Sequence, residues 1–221
     1  MTEENIVIPE LSPEEIRVLG ALIEKSRATP EYYPMTLNGL LNACNQKTAR
    51  KPVVQYTEAE LSLSLDTLKK KGLISTVVGG GSRVVKYKHN LAIVYPLVPE
   101  QLVVLALLFL RGPLTAGEIN NASGRMYEFT DLQHVSQVME NLAESQPTYL
   151  IKLPKAAGQK EARFAHGFQP LEDIEKLQTI SPQTLDSSGE KTKELEERVI
   201  RLEEELRTLK NAFDSLISEL S

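Results

Sequence analysis

A run of capped helices closed by a glycine-bearing hairpin occurs twice in this chain of 221 residues. Two copies of one small module leave few folds open. In the first copy Ser12 precedes Pro13, with Glu15 three positions on, so a capping box and a proline at the first helical position start a helix, with Leu11 able to staple onto Ile16. Ile16, Leu19 and Ile23, widened by Val18 and Leu22, give it an apolar face that runs out near Arg27. Pro30 and Pro34 predict an extended stretch over residues 29–34, because each disfavours helix in the residue before it. A second helix is predicted from Thr36 to about Gln46, then a loop from Lys47 to Gln55. Thr57 and Glu60 form another capping box, opening a helix that turns Leu61, Leu65 and Leu68 inward and stops at Lys71 and Gly72. Leu73 to Val78 and Arg83 to Lys88 read as strands about a turn of three glycines and Ser82.

The second copy opens on Pro99 to Arg111, a helix apolar nearly all round and so predicted to lie buried between the halves. Thr115 with Glu118 caps a short helix. A longer one follows Thr130 and Asp131 and carries Leu132, Val135, Val138 and Leu142. Thr148 to Leu153 and Lys160 to Phe168 are its predicted strands. At an offset of 77 residues Arg83 aligns with Lys160, Lys86 with Arg163, Tyr87 with Phe164 and His89 with His166, which points to a tandem duplication. Three helices followed by a hairpin is the order of a winged helix-turn-helix. The expected fold is therefore α+β, mainly α: an arm over 1–11, winged-helix domains over 12–92 and 97–169, a linker over 170–190 and a coiled-coil helix over 191–221.

That last helix is predicted from Leu195, Val199, Leu202, Leu206, Leu209, Phe213, Leu216 and Leu220, which step by alternating fours and threes. Arg198 with Glu203 and Glu205 with Lys210 make opposite-sign g-to-e pairs, as a parallel homodimer requires. A single amphipathic helix folded back on the hairpins is the competing reading.

The net charge of −5 hides an asymmetry. Residues 16–90 hold twelve Lys/Arg against five Asp/Glu, and residues 171–221 hold seven against thirteen. A basic half permits a polyanion partner, although solvated basic faces are common. The absence of Trp argues against a stacking platform for single-stranded nucleic acid. One cysteine, Cys44, supports neither an intramolecular disulfide nor a cysteine-based zinc site, and fits a cytoplasmic setting. The longest nearly apolar run, Leu102 to Leu110, is too short to span a bilayer, so no membrane association is expected, and the acidic start is unlike a signal peptide.

Residues 29–54, from Thr29 and Pro30 through Cys44 to Val54, resemble the signature of the bacterial YceH family. Ser82, Arg83 and Val84 with Lys86 and Tyr87 are similar to its first wing, and Arg125 to Asp131 to its second-half motif. The resemblance covers about residues 10–168 and implies two tandem winged-helix domains in a bacterial cytosolic protein. It brings no activity or ligand, so no functional residue is carried over from it.

Two basic clusters are candidate DNA contacts. On the wing, Lys86 and Lys88 share a strand face with Val84, while Val85 and Tyr87 point to the core, and Arg83 sits beside the glycines. These three cations suit a phosphate ridge; the plainer reading is charges guarding an edge strand. In the loop, Lys47, Arg50 and Lys51 follow Asn42, Asn45 and Gln46, a mixture suited to phosphate and groove contacts; the plainer reading is side chains bracing the loop's own backbone. Against standard groove insertion, the third helix begins with Glu58 and Glu60 and exposes Ser62, Ser64 and Asp66, with Lys69, Lys70 and Lys71 at its far end explained by the helix dipole. The matching helix of the second copy offers Gln133, His134 and Gln137. Met126, Tyr127 and Phe129 read as core anchors, and Arg125 as paired with Glu128 or a carbonyl, or as facing a partner.

No metalloprotease motif, phosphate-binding glycine loop or nucleophile elbow occurs, and Cys44 reads as a small buried residue. No enzyme, cofactor or metal is expected. The first expectation is a dimeric protein associated with double-stranded DNA, in the manner of a transcriptional regulator. The second is an adaptor whose winged helices and coil bind protein partners.

Overall fold

The computed structural model describes residues 7–78, 84–155, 159 and 161–179. Its helices are α1 (Pro13–Ala28), α2 (Leu37–Cys44), α3 (Glu58–Lys70), α4 (Leu91–Val94), α5 (Pro99–Arg111), α6 (Ala116–Ser123), α7 (Leu132–Glu144) and α8 (Leu171–Thr179). Its strands are β1 (Met35–Thr36), β2 (Ile74–Val77), β3 (Lys86–His89), β4 (Leu150–Lys152) and β5 (Phe164–His166). The class is α+β, mainly helical. Arg83, Lys160 and the heptad positions Leu195 to Leu220 lie outside the described residues.

The predicted caps form. Ser12 accepts from the Glu15 amide while the Glu15 carboxylate takes the Ser12 N–H, and Thr57 with Glu60 and Thr115 with Glu118 repeat the exchange. At the end of α3, Gly72 adopts φ 73°, its N–H donates to Lys69 O and the Leu73 N–H to Leu68 O. That is a Schellman close, and it needs a residue tolerant of left-handed backbone. Asp131, not Thr130, caps α7, accepting from the His134 amide.

β3 lies between β1 and β2, all antiparallel, with Met35 opposite Tyr87 and Ile74 opposite His89. β4 and β5 form a separate antiparallel pair in which Leu150 faces His166. β1 is absent from the expectations because two residues carry no readable alternation.

Four local expectations are corrected. Pro30–Tyr32 form a 3-10 turn, not an extended segment. Ser64 is buried, its hydroxyl donating back to Glu60 O, and so is not on the exposed face of α3. Leu132 and Val85 are exposed; each precedes or begins its element and misses the core-facing register.

The described residues up to Gln178 belong to one compact unit. Within it, a single hydrophobic cluster runs from Leu11 to Phe168 and includes both halves. α1 packs on α2 and α3 and, most extensively, on α5. Every residue from Glu15 to Ile23 is buried, more than a one-sided stripe accounts for, because the helix is covered from both halves. The helices meet at Gly20, where a Cβ would lie 2.9 Å from Phe109 Cβ and 3.0 Å from Leu110. Backbone bonds add further ties: Leu11 N–H donates to Phe168 O and Lys51 N–H to Leu110 O, both at 2.8 Å. Phe168 is enclosed by Tyr95, Phe109 and Tyr149.

Candidate nucleic-acid interface

The loop between α2 and α3 is braced from within. Asn45 spans it, donating to Tyr56 O at 2.9 Å and accepting from the Tyr56 N–H at 2.8 Å. Arg50 is 6% exposed. It donates to Ala43 O at 3.2 and 3.0 Å and to both carboxylate oxygens of Glu24 at 3.1 and 2.5 Å. Arg50 is thus removed from the expected phosphate contacts: its guanidinium is spent on the loop and on α1. Lys47 and Lys51 are exposed. Between them Ala49 sits at φ 59°, a left-handed conformation that costs a side chain with a Cβ and recurs where loops serve function.

On the first hairpin, Lys86 is exposed and Lys88 half-buried. They share the face that carries Ser75, Val77 and Thr36, while Tyr87 packs on the core. At Lys86 β3 is paired on both sides, with Thr36 of β1 and Val77 of β2, so that lysine does not guard an edge, whereas Lys88 is paired with Ser75 of β2 and lies past the end of β1.

The loop's outer side forms one wall of a groove of about 880 Å³; α6 and the residues after it form the other. Four cations line it: Lys25, Lys47, Arg111 and Arg125. Its two acids are occupied. Glu24 is held by Arg50 and lies 3.5 Å from Lys25, while Glu118 takes a bidentate bond from Arg163, both contacts at 2.8 Å. Lys47, Arg111 and Arg125 have no ion pair among the described residues, and Arg111 Nε is buried without a hydrogen-bond partner. The groove therefore presents uncompensated positive charge drawn from both halves of the chain.

Sequence reasoning brought Lys47 here but missed Lys25 and Arg111. The available signal was Arg111 itself, a charge that ends the apolar run Leu102 to Leu110. Arg125 does not pair with Glu128. Its neighbours anchor the segment instead: Tyr127 donates to Glu100 at 2.7 Å, and Phe129 is buried edge-on to Tyr127 and His134.

The remaining chemical groups are interior. Burial pushes the Cys44 thiol up to about 12. The matched histidines, His89 and His166, are both pushed down to about 4 by burial and stay neutral near pH 7. No described helix is long and apolar enough to cross a membrane.

The family model described as "Protein of unknown function, DUF480" matches residues 11–159. A UPF0502 protein of Azoarcus sp. (strain BH72) is 41% identical, covering 93% of this chain and 92% of its own. A UPF0502 protein of Shewanella loihica is 39% identical over 95% and 99%, and one of Citrifermentans bemidjiense 42% identical over 87% and 86%. The matched span takes in the α2–α3 loop, the groove walls and the first hairpin, and on these grounds the chain belongs to the UPF0502 family, the YceH family of bacterial proteins.

Proposed function

We propose that this chain is a non-enzymatic, cytoplasmic protein that associates with double-stranded DNA, built from two winged-helix modules and paired through its C-terminal heptads, with transcriptional regulation as its role. The observation that carries this reading is the groove in which Lys47, Arg111 and Arg125 converge without acidic partners. Fixed cations lining one groove suit a phosphate backbone, whose neutralisation releases counterions. Lys86 and Lys88, with Arg83 beyond the described residues, extend the basic surface on the first wing.

The test is fluorescence anisotropy of the full-length protein on mixed-sequence duplex DNA at low and near-physiological salt. Binding that weakens steeply with salt supports the reading. In K47A/R125A the salt slope falls by about two, one for each phosphate no longer neutralised. Deleting residues 190–221 lowers affinity by removing bivalency.

The second reading, a protein-binding adaptor, has its own support: α3 presents Glu58 and Glu60 at its exposed start and Leu63 at 71% exposure. Absence of DNA binding at low salt favours it.

A further inference from the structure

A second cavity, of about 650 Å³, opens where the start of α1 meets the exit of β5. That volume is within the ~300–1,000 Å³ of small-molecule sites. Leu11, Ile16 and Phe109 give it apolar walls.

Three polar side chains in those walls have unspent capacity. Arg17 is 3% exposed and donates to Cys44 O at 3.2 Å and Pro52 O at 2.6 Å, two carbonyls that use only part of a guanidinium's five donors. No carboxylate pairs with it among the described residues: on the same helix Glu24 is committed to Arg50, and Glu14 accepts from the Ser12 hydroxyl. A buried cation lacking a counter-charge is a costly arrangement that an anion relieves. His166 is 6% exposed, and its Nδ1 is buried without a partner; Gln169 Nε2 is likewise buried and unpartnered.

The acids along the rim do not fill this need. Glu15 is held by Lys71 at 2.8 Å and by the Ser12 amide, Asp173 by Lys176 at 2.8 Å, and Glu10 is exposed. The cavity thus supplies one buried positive charge, neutral hydrogen-bonding groups and an apolar wall.

We propose that this cavity binds a small organic monocarboxylate with an apolar body. The carboxylate takes N–H donors from Arg17 and from Gln169 Nε2, His166 completes the polar end, and the hydrocarbon lies against Leu11, Ile16 and Phe109. Arg17 is the one cation buried in the walls and matches one negative charge, while Lys51, which also lines the cavity, is exposed to water. The site uses different side chains from the basic groove and stands whether or not the protein binds DNA.

Isothermal titration calorimetry of the full-length protein with octanoate and with 4-phenylbutyrate tests this, using octan-1-ol and 4-phenylbutan-1-ol as the uncharged counterparts. At least one acid should bind once per chain, more tightly than its alcohol by about tenfold, the worth of a charge-assisted hydrogen bond. R17Q should abolish the preference for the acid. Because Arg17 also ties the α2–α3 loop, a second variant is needed. Q169E sets a carboxylate where the ligand's own would sit against Arg17, so its melting temperature should be at or above the wild type's, which shows the fold is kept, and acid binding should weaken by about tenfold or more. Failure of both acids to bind, equal affinity for acid and alcohol, or undiminished acid binding by Q169E would overturn the proposal.

Discussion

The guanidinium of Arg50 and the carboxylate of Glu24, twenty-six positions apart in sequence, meet in a two-bond fork at 3.1 and 2.5 Å that fastens the α2–α3 loop to α1. The Arg50 side chain has no exposure. Removing it leaves the Ala43 carbonyl without its donor and Glu24 with Lys25 alone, 3.5 Å away, and breaking a pair of this kind costs about 3–5 kcal/mol. R50A should lose that much in urea denaturation. Lys47→Ala, in the same loop but exposed, should stay within about 0.5 kcal/mol of wild type.

Gly20 is the point of closest approach between α1 and α5. A Cβ there meets Phe109 Cβ at 2.9 Å, atoms next to the backbone that cannot swing aside. G20A should therefore destabilise by about 1–3 kcal/mol through overpacking, despite the better helix propensity of alanine. Gly124 is the control: a Cβ added there would have nothing within 4 Å and its φ is −52°, so G124A should raise stability by about 0.5 kcal/mol. Thermal melts of the two variants should shift in opposite directions.

His89 and His166 fold with values near 4, against about 6.5 when unfolded. Below pH 6.5 the unfolded chain gains protons that the folded chain refuses. Stability should be level above that point and fall as pH drops towards 4, by about 1.4 kcal/mol per pH unit for each histidine. H166Q should reduce the slope by about half, read from urea midpoints over that range.

Two neighbouring acids on α3 should behave differently. Glu60 closes the Thr57 capping box, its carboxylate taking the Thr57 N–H at 2.7 Å, so E60A should lower the urea midpoint. Glu58 makes no side-chain hydrogen bond among the described residues, and E58Q should leave stability within about 0.5 kcal/mol. If α3 faces DNA, E58Q should also tighten binding in the anisotropy titration.

What could be read from the sequence depended on the range of the interaction. Caps, helix stops and strand pairs are written in residues a few positions apart, and Ser12 with Glu15 or Lys71 with Gly72 were legible for that reason. Arg50 was not: in a local window a loop arginine beside Lys47 and Lys51 looks like surface charge, and only the arrival of Glu24 from α1 decides otherwise. The burial of α5 followed from its apolar residues, but the burial of α1 on all sides did not, since Arg17 and Glu15 interrupt its pattern and Gly20 looks like a flaw until Phe109 is placed against it. The basic groove was half legible. Lys47 stood out by composition, whereas Arg111 and Arg125 became part of the same site only once the second half was folded against the first.

The contact between α1 and α5 through Gly20 also decides what the chain can do without. Each of these helices is a wall of the other's core, so neither half holds a core that is closed on its own. A fragment without α1 would bare the side of α5 that α1 covers, on a helix whose nine residues Leu102 to Leu110 are all buried in the whole chain. Cutting the chain between the halves therefore removes a wall from both and not only a neighbour from each.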